Sequence, residues 1–541
     1  MKLFEPKLIS SLKEYNGKKF LNDFIAGVIV AIIALPLSIA LAIASGVTPE
    51  KGLYTAIVAG FVIAVLGGSR VNISGPTAAF ATIVAGIVAQ FGTEGLVVAT
   101  IMAGLILILM GVLKFGSLIK YIPYTITTGF TSGIALTIVI GQIKDFLGLT
   151  FKEGTHAVET MEKLEAVGAS ISTMNIEALV VGLVGLLILI VWPKINKKIP
   201  GSLIAVIVGV LVVKLFKMDV NTIGDLYEIS RSAPSFSLPV FEISTIKELI
   251  PSAFTIAILA GIESLLSCVV SDTMIGDKHN SNTELIAQGA GNICSGLFGG
   301  IPATGAIART AANVKNGGKT PIAGIIHAVV LLLVLLVLMP YAAWIPMPII
   351  AAILFMVAYN MCEWRHFVEI CKTAPKSDIL VLILTFVLTV VFDLVVAIEV
   401  GLLVAVVLFM KRMTDVTNIR PWIEGEDVRL KKVPDKTQVF EINGPMFFAT
   451  SEKLADLKAD EDIKTVIIRM RNVVSLDISA LRTISDMYEG YRAKDIKVIF
   501  SHVNRQPKSV MKKAGFLDRV GEDYFKKNID EALEFAENIS R

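Results

Sequence analysis

Residues 301–315 read IPATGAIARTAANVK, and the reading of that stretch decides how often the chain crosses a bilayer. It is too polar and too short to cross alone, because a helical span needs about 20 apolar residues. Its surroundings differ. Phe24 to Ala44 carries no charged residue and follows Lys18 and Lys19, which reads as a first span rather than as a cleavable leader. Further apolar runs lie near 52–67, 77–91, 96–113, 122–147, 177–192, 201–216, 249–271, 285–299, 321–340, 346–361 and 379–410. The last is long enough for two short spans that turn at Asp393. Basic residues cluster at Lys2 to Lys19, at Lys114 with Lys120, at Lys194 with Lys197 and Lys198, at Lys315 with Lys319, and at Lys411 with Arg412. Such clusters stay on the cytoplasmic side. Holding all of them there requires an even number of spans between neighbouring clusters. Between Lys198 and Lys315 hydropathy finds three, so residues 302–315 must provide a fourth. Fourteen spans result.

Composition agrees with a polytopic membrane protein. Of 541 residues 54% are hydrophobic and 18% charged, and the mean hydropathy is +0.71. A net charge of +3, spread along the chain, excludes a nucleic-acid partner. Cys268, Cys294, Cys362 and Cys371 have no ligand spacing, so neither a disulfide framework nor a metal site is expected, and no cofactor is implied. No nucleophile, base and orienting group converge, so an enzyme is not expected. After Arg412 the apolar density falls. Strands near 438–448, 465–471 and 496–503 alternate with helices near 451–458, 478–492 and 506–515, which predicts a small α/β domain. The expected organisation is a cytoplasmic segment 1–22, a membrane domain 23–412 with repeats at about 23–217 and 249–412, a linker 413–435 and a cytoplasmic domain 436–541. A multi-pass protein of the plasma (inner) membrane follows.

The two halves resemble each other. Tyr121-Ile122-Pro123 recurs as Trp344-Ile345-Pro346, an offset of 223 residues, and Gly67-Gly68 as Gly299-Gly300, an offset of 232. Because seven is odd, two seven-span halves must be inverted with respect to one another, an arrangement built for transport. Each double glycine opens an interrupted segment. The first, GGSRVNISGPTAAF (67–80), has an extended stretch from Val71 to Ser74, then Gly75 and Pro76 to start a helix. The second passes from Gly299 through Pro302, Thr304 and Gly305 into a helix over Ala306 to Asn313. Two helix starts meeting near the midplane aim their unpaired N–H groups at one spot, and such a spot favours an anion.

Charges within the spans point the same way. Glu263 lies mid-span in AFTIAILAGIESLLSCVV, where an ionisable group needs a cavity or a partner. Arg309 sits one turn after Gly305 and is placed to reach either a bound anion or Glu263. Ser267 follows Glu263 by four and shares its face. Arg70, at a span end, either snorkels to the interface or draws anions in.

Three stretches carry a resemblance: residues 34–80, residues 279–292 (HNSNTELIAQGAGN) and residues 308–321 (ARTAANVKNGGKTP). They resemble the SulP (sulfate permease) family of anion transporters, and within it the bacterial sulfate and dicarboxylate carriers. The C-terminal part is similar to the family's STAS domain. The resemblance implies a core and a gate domain, a homodimer and cytoplasmic STAS domains open to a protein partner. It places the anion at Thr77, Ala78, Ala79 and Phe80 and at Gly305, Ala306 and Arg309, with the coupling ion at Glu263 and Ser267. Sodium-coupled bicarbonate members carry a hydroxyl where this chain has Ile307, so a proton rather than sodium is expected at Glu263. Ser479, in Asp477-Ile478-Ser479-Ala480, matches a serine phosphorylated in bacterial relatives of the STAS domain. Ala480 replaces the usual glycine, and Ser479 is expected to serve as a helix-start residue.

The expected activity is secondary active transport of sulfate or a small dicarboxylate, by proton symport and an elevator-like movement of core against gate within the lipid bilayer. Alternatives are a bicarbonate or chloride exchanger, a sodium-coupled bicarbonate carrier, and a membrane-anchored anion sensor signalling through the STAS domain.

Overall fold

The computed structural model describes residues 4–117, 123–152, 157, 159–196, 199–230, 232–239, 243–392, 394–421, 433–450, 453, 459–460 and 462–540. It contains two compact units, Met1–Leu402 and Leu403–Arg541. The helices of the first are α1 (Lys7–Leu12), α2 (Gly17–Ala44), α3 (Pro49–Leu66), α4 (Ala81–Val112), α5 (Tyr124–Leu147), α6 (Thr160–Ser170), α7 (Ile176–Ile195), α8 (Gly201–Phe216), α9 (Ile223–Leu226), α10 (Ile243–Ile275), α11 (Ser281–Leu297), α12 (Ile307–Lys315), α13 (Ile322–Ala342), α14 (Met347–Cys362), α15 (Trp364–Thr373) and α16 (Lys376–Val391). Helix α17 (Leu394–Val416) runs across the boundary. Two short strands, β1 (Ser74–Gly75) and β2 (Thr304–Gly305), interrupt the helices.

Seven segments stand in each half once α4 is counted as two helices, since Gly92 breaks it at φ 68° and ψ −171°. The first seven are α2, α3, the two parts of α4, α5, α7 and α8; the second are α10 to α14, α16 and α17. Eight stretches among the described residues are long and apolar enough to cross a membrane unaided. The stretch passed over by hydropathy is β2 followed by α12, only nine residues long. The long apolar run near 379–410 divides into α16 and α17; the expected turn at Asp393 lies outside the described residues, as do Tyr121 and Ile122 of the repeat.

Local chemistry sets the helix ends. Asn16 caps α2 by accepting from Lys19 N at 2.9 Å, Asn175 caps α7 through Glu177 N at 2.8 Å, and Asn280 caps α11 through Thr283 N at 3.2 Å. Gly148 closes α5 in the left-handed conformation, φ 61°. Packing then follows the repeat. Helix α4 lies on α11 and α3 lies on α13, so each half supplies one partner to each crossing. At the first crossing Gly104 and Gly289 face each other: a Cβ on Gly104 would stand 2.6 Å from Gly289 O, and a Cβ on Gly289 2.5 Å from Gly104 O. Small residues allow this approach. A second group forms where α5 packs on α14 and α16, and α7 on α14. Its own apolar core includes Phe146, Val181, Ala205 and Ile349.

The second unit is α/β. Its sheet runs β3 (Asn418–Pro421), β4 (Thr437–Asn443), β5 (Thr465–Asn472), β6 (Lys497–Ser501), β7 (Phe525–Lys526), with β3 antiparallel to β4 and the others parallel. Alternate residues serve opposite faces. Phe440, Ile468 and Phe500 face α18 (Ile478–Ala493), α19 (Arg505–Lys513) and α20 (Phe516–Val520), while Val439, Ile467 and Ile499 face α21 (Ile529–Ser540). The expected strand 438–448 ends at Asn443, because Gly444 turns at φ 108°. Strand β3 falls within residues 413–435. Of the expected helix 451–458 only Lys453 is among the described residues.

Candidate functional site

Strands β1 and β2 pair antiparallel, Ser74 opposite Gly305 and Gly75 opposite Thr304. This brings the two interrupted segments together. Thr77 is the N-cap of the first, in extended conformation (φ −126°, ψ 160°), and Ala78, Ala79 and Phe80 form a tight 3-10 turn leading into α4. Ala306 is the N-cap of the second. The first bonds along these helices are Phe80 N to Thr77 O at 3.3 Å and Thr310 N to Ala306 O at 2.9 Å. The N–H groups of Ala78 and Ala79, and those of Ile307, Ala308 and Arg309, therefore have no acceptor within their own helices. The helix start differs from expectation: Pro76 precedes the N-cap instead of opening the first turn. Its carbonyl is turned aside as an acceptor for Arg309.

Arg309 is buried on α12. Its Nη2 donates to Pro76 O at 3.1 Å and, more weakly, to Ser38 Oγ at 3.4 Å. Nη1 is buried and has no hydrogen-bond partner. It lies against Gly75, where a Cβ would stand 2.5 Å from it. Glu263, half-buried on α10, does not pair with Arg309; its Oε2 accepts from Thr77 Oγ1 at 3.0 Å. The chain thus brings Thr77, Glu263, Arg309 and two helix starts together, with Phe80 fully buried behind the first.

Ser267 turns elsewhere. Its Oγ donates to Asn72 Oδ1 at 2.7 Å and lies 3.1 Å from Thr310 Oγ1. Beside Gly305 stands Ser264, whose Oγ accepts from Gly305 N at 2.9 Å and lies 2.7 Å from Thr304 Oγ1. Ser38, Asn72, Ser264 and Thr310 were not singled out in the sequence. A serine next to a mid-span acid gave a signal for Ser264 as good as for Ser267; Ser38 gave none. Arg70 is drawn into an ion pair with Asp277, 2.9 Å away, which Lys7 also approaches at 3.6 Å.

One serine–histidine–aspartate chain does assemble, contrary to the expectation that none converges. Ser281 Oγ lies 2.9 Å from His279 Nε2, and His279 Nδ1 lies 2.7 Å from Asp272 Oδ2. The three tie the end of α10 to the start of α11. Ser281 is packed beneath Gly116, where a Cβ would come within 2.8 Å of it, and the arrangement reads as a brace. In the second unit, Asp477 caps α18: Oδ1 accepts from Ala480 N at 2.8 Å and Oδ2 from Phe448 N at 2.9 Å. Ser479 follows it, exposed, while Ala480 is buried. Among the described residues no group of histidine, cysteine and acidic side chains is arranged to hold a metal ion.

Comparison with known proteins gives a consistent picture. Residues 20–385 match the sulfate permease family and residues 429–534 the STAS domain. YvdB of Bacillus subtilis (strain 168), named as a candidate sulfate transporter, is 41% identical over 524 residues, 96% of this chain and 98% of that protein. The bicarbonate transporter BicA of Picosynechococcus sp. is 32% identical over 540 residues, 95% of this chain and 94% of that protein. The solved transmembrane domain of a cyanobacterial BicA superposes with a TM-score of 0.64 at 32% identity, covering 72% of this chain and 98% of that one. The murine anion transporter Slc26a9 superposes at 0.89 with 18% identity, over 99% and 94% of the two chains, a likeness of fold.

Proposed function

The chain belongs to the sulfate permease family, and on that premise we propose that it carries sulfate or a small dicarboxylate together with a proton. Anion transport through a multi-pass membrane protein with a C-terminal STAS domain is what membership means. The observation that carries the proposal is Arg309 Nη1, a buried cationic donor with no partner, held where two helix starts converge. Burying an unpaired charge is costly unless a ligand completes it. A compact anion does so, taking Nη1 and the N–H groups of Ala78, Ala79, Ile307 and Ala308.

Glu263 supplies the coupling. Ionised, it offsets the charge of Arg309 beside the same helix starts. Once it takes up a proton, the arginine charge stands uncompensated and draws the anion in. Thr77 links the two events, since its hydroxyl bonds Glu263 and its backbone begins the anion-facing turn. Ile307, in place of a hydroxyl residue, argues for a proton over sodium. Ser267 acts on this centre through Asn72 and Thr310. Transport follows from movement of α2–α4 and α10–α13 as a core against α5, α7, α8, α14 and α16. We take the carrier to be a homodimer in the plasma membrane, with its N-terminus and STAS domain in the cytoplasm.

The similarity to BicA favours bicarbonate as the second reading. Labelled sulfate uptake into proteoliposomes under an inward proton gradient separates the two, with fumarate, bicarbonate and chloride as unlabelled competitors. Gradient-driven uptake blocked by sulfate or fumarate is the expected result. Competition by bicarbonate alone would favour the second reading. Absence of any uptake, with or without internal counter-anion, would favour an anion sensor acting through the STAS domain.

A further inference from the structure

The stretch HNSNTELIAQGAGN, residues 279–292, has no part in the cycle described above. Its acid is Glu284, buried in the first turn of α11. Four nitrogen donors surround that carboxylate, and the buried Cys268 thiol also bonds it. Oε2 accepts from Gly68 N at 2.8 Å and Ser69 N at 3.2 Å; Oε1 accepts from Asn72 Nδ2 at 2.8 Å and Gln288 Nε2 at 3.0 Å. Gln288 Nε2 also reaches Ser74 Oγ in β1 at 2.9 Å. Asn72 carries the connection onward. Its Oδ1 accepts from Ser267 Oγ of α10 at 2.7 Å and from Thr310 Oγ1 of α12 at 3.0 Å, and Thr310 Oγ1 accepts from Ile73 N at 3.0 Å. Asn72 also lies against β2, where a Cβ on Gly305 would stand 2.7 Å from Nδ2.

We propose that Glu284 and Asn72 are positioning residues of the anion site, setting the separation of the two helix starts without touching the anion. The inference rests on the reading of that place as the substrate site. One carboxylate reaches α10 and α12 through Asn72 and β1 through Gln288, while Asn72 packs against β2, so hydrogen bonds tie the first interrupted segment to the helix that carries Arg309. The chemistry requires a carboxylate, which only accepts; an amide has one oxygen and two N–H groups. Glu284→Gln therefore sets donor against donor at part of the ring. Adding Asn72→Asp relocates the charge and repairs it. The new carboxylate at position 72 accepts from the amide at 284, from Ser267 and from Thr310. The amide oxygen at 284 keeps Gly68 N and Ser69 N. Gln288 turns its Oε1, at present without a partner, to accept from the amide at 284 and from Ser74 Oγ; its Nε2 then takes the unpartnered place, so the repair is partial.

The test uses the full chain as wild type, Glu284→Gln, and Glu284→Gln with Asn72→Asp. Sulfate KM and Vmax are measured in proteoliposomes, and amide hydrogen exchange is followed over residues 68–77 and 304–310. For the single variant we expect KM to rise about tenfold, the effect of one hydrogen bond to a charged group, with a smaller change in Vmax. Exchange should quicken in both segments together. The double variant should bring KM and exchange back towards wild type. An unchanged KM with Vmax falling in step with the amount of folded protein would reduce the pair to a brace and overturn the inference. So would a double variant no better than the single one. Wild-type protein that takes up no anion would remove the functional reading, and the exchange arm still decides the inference: unchanged exchange in Glu284→Gln overturns it.

Discussion

The guanidinium of Arg309 lies so close to Gly75 that a side chain there would place its Cβ 2.5 Å from Nη1. Contact with the tip of a long side chain, not backbone conformation, demands glycine at this position. Gly75→Ala is expected to fold, since Arg309 can swing away, and to lose the donor aimed at the anion. Initial sulfate uptake should fall by at least about tenfold, as small misplacements of a binding group do. Wild-type rates in this variant would show that Nη1 is not on the anion's path.

Glu263 accepts from Thr77, and an amide at 263 can accept the same hydrogen through its oxygen. Glu263→Gln should therefore keep the site's shape and lose its proton. Exchange of external for internal sulfate should persist, while accumulation driven by an inward proton gradient should vanish. The comparison needs only the two uptake protocols on one preparation, and accumulation surviving in the variant would refute proton carriage by Glu263.

Gly104 and Gly289 meet backbone to backbone, so neither neighbour can yield by rotating a side chain. Gly289→Ala should push α11 from α4 and destabilise the membrane unit by about 1–3 kcal/mol, the usual cost of overpacking. Thermal unfolding in detergent reads this as a lowered midpoint, and an unchanged midpoint would mean that the crossing is looser than its geometry.

In the STAS domain Asp477 and Ser479 should behave oppositely. Asp477→Ala removes the cap of α18 and the acceptor for Phe448 N, at a cost of about 1 kcal/mol for the cap alone. Ser479→Ala, at an exposed position, should change stability by less than about 0.5 kcal/mol. Mass spectrometry of native protein should find Ser479 without phosphate; finding phosphate there would recast the residue as a switch.

Much of this architecture was legible because membrane burial leaves a strong imprint. A span is a long run of uniform chemistry, and charge parity located β2 and α12 where hydropathy was silent. Arg309 and Glu263 stood out because charge is rare in such runs. The connections between them were not legible. Asn72, Ser264 and Thr310 are ordinary residues whose roles depend on partners far along the chain, 212 positions away for Asn72 with Glu284 and 40 for Ser264 with Thr304. Pro76 was misplaced by two residues because a proline favours a helix start in general, whereas here its carbonyl is claimed by Arg309. Strand β3 was missed because Asn418–Pro421 is short and largely exposed, and only pairing with β4 makes it a strand.

The pairing of Ser74–Gly75 with Thr304–Gly305 has a consequence for any ancestor of such a chain. Neither half can complete that sheet alone, because each strand's partner comes from the half of opposite orientation. A seven-span forerunner would have had to insert both ways up and meet itself across a two-fold axis. Fusion of two copies would then have freed each to diverge, leaving the acid on one side and the threonine that answers it on the other.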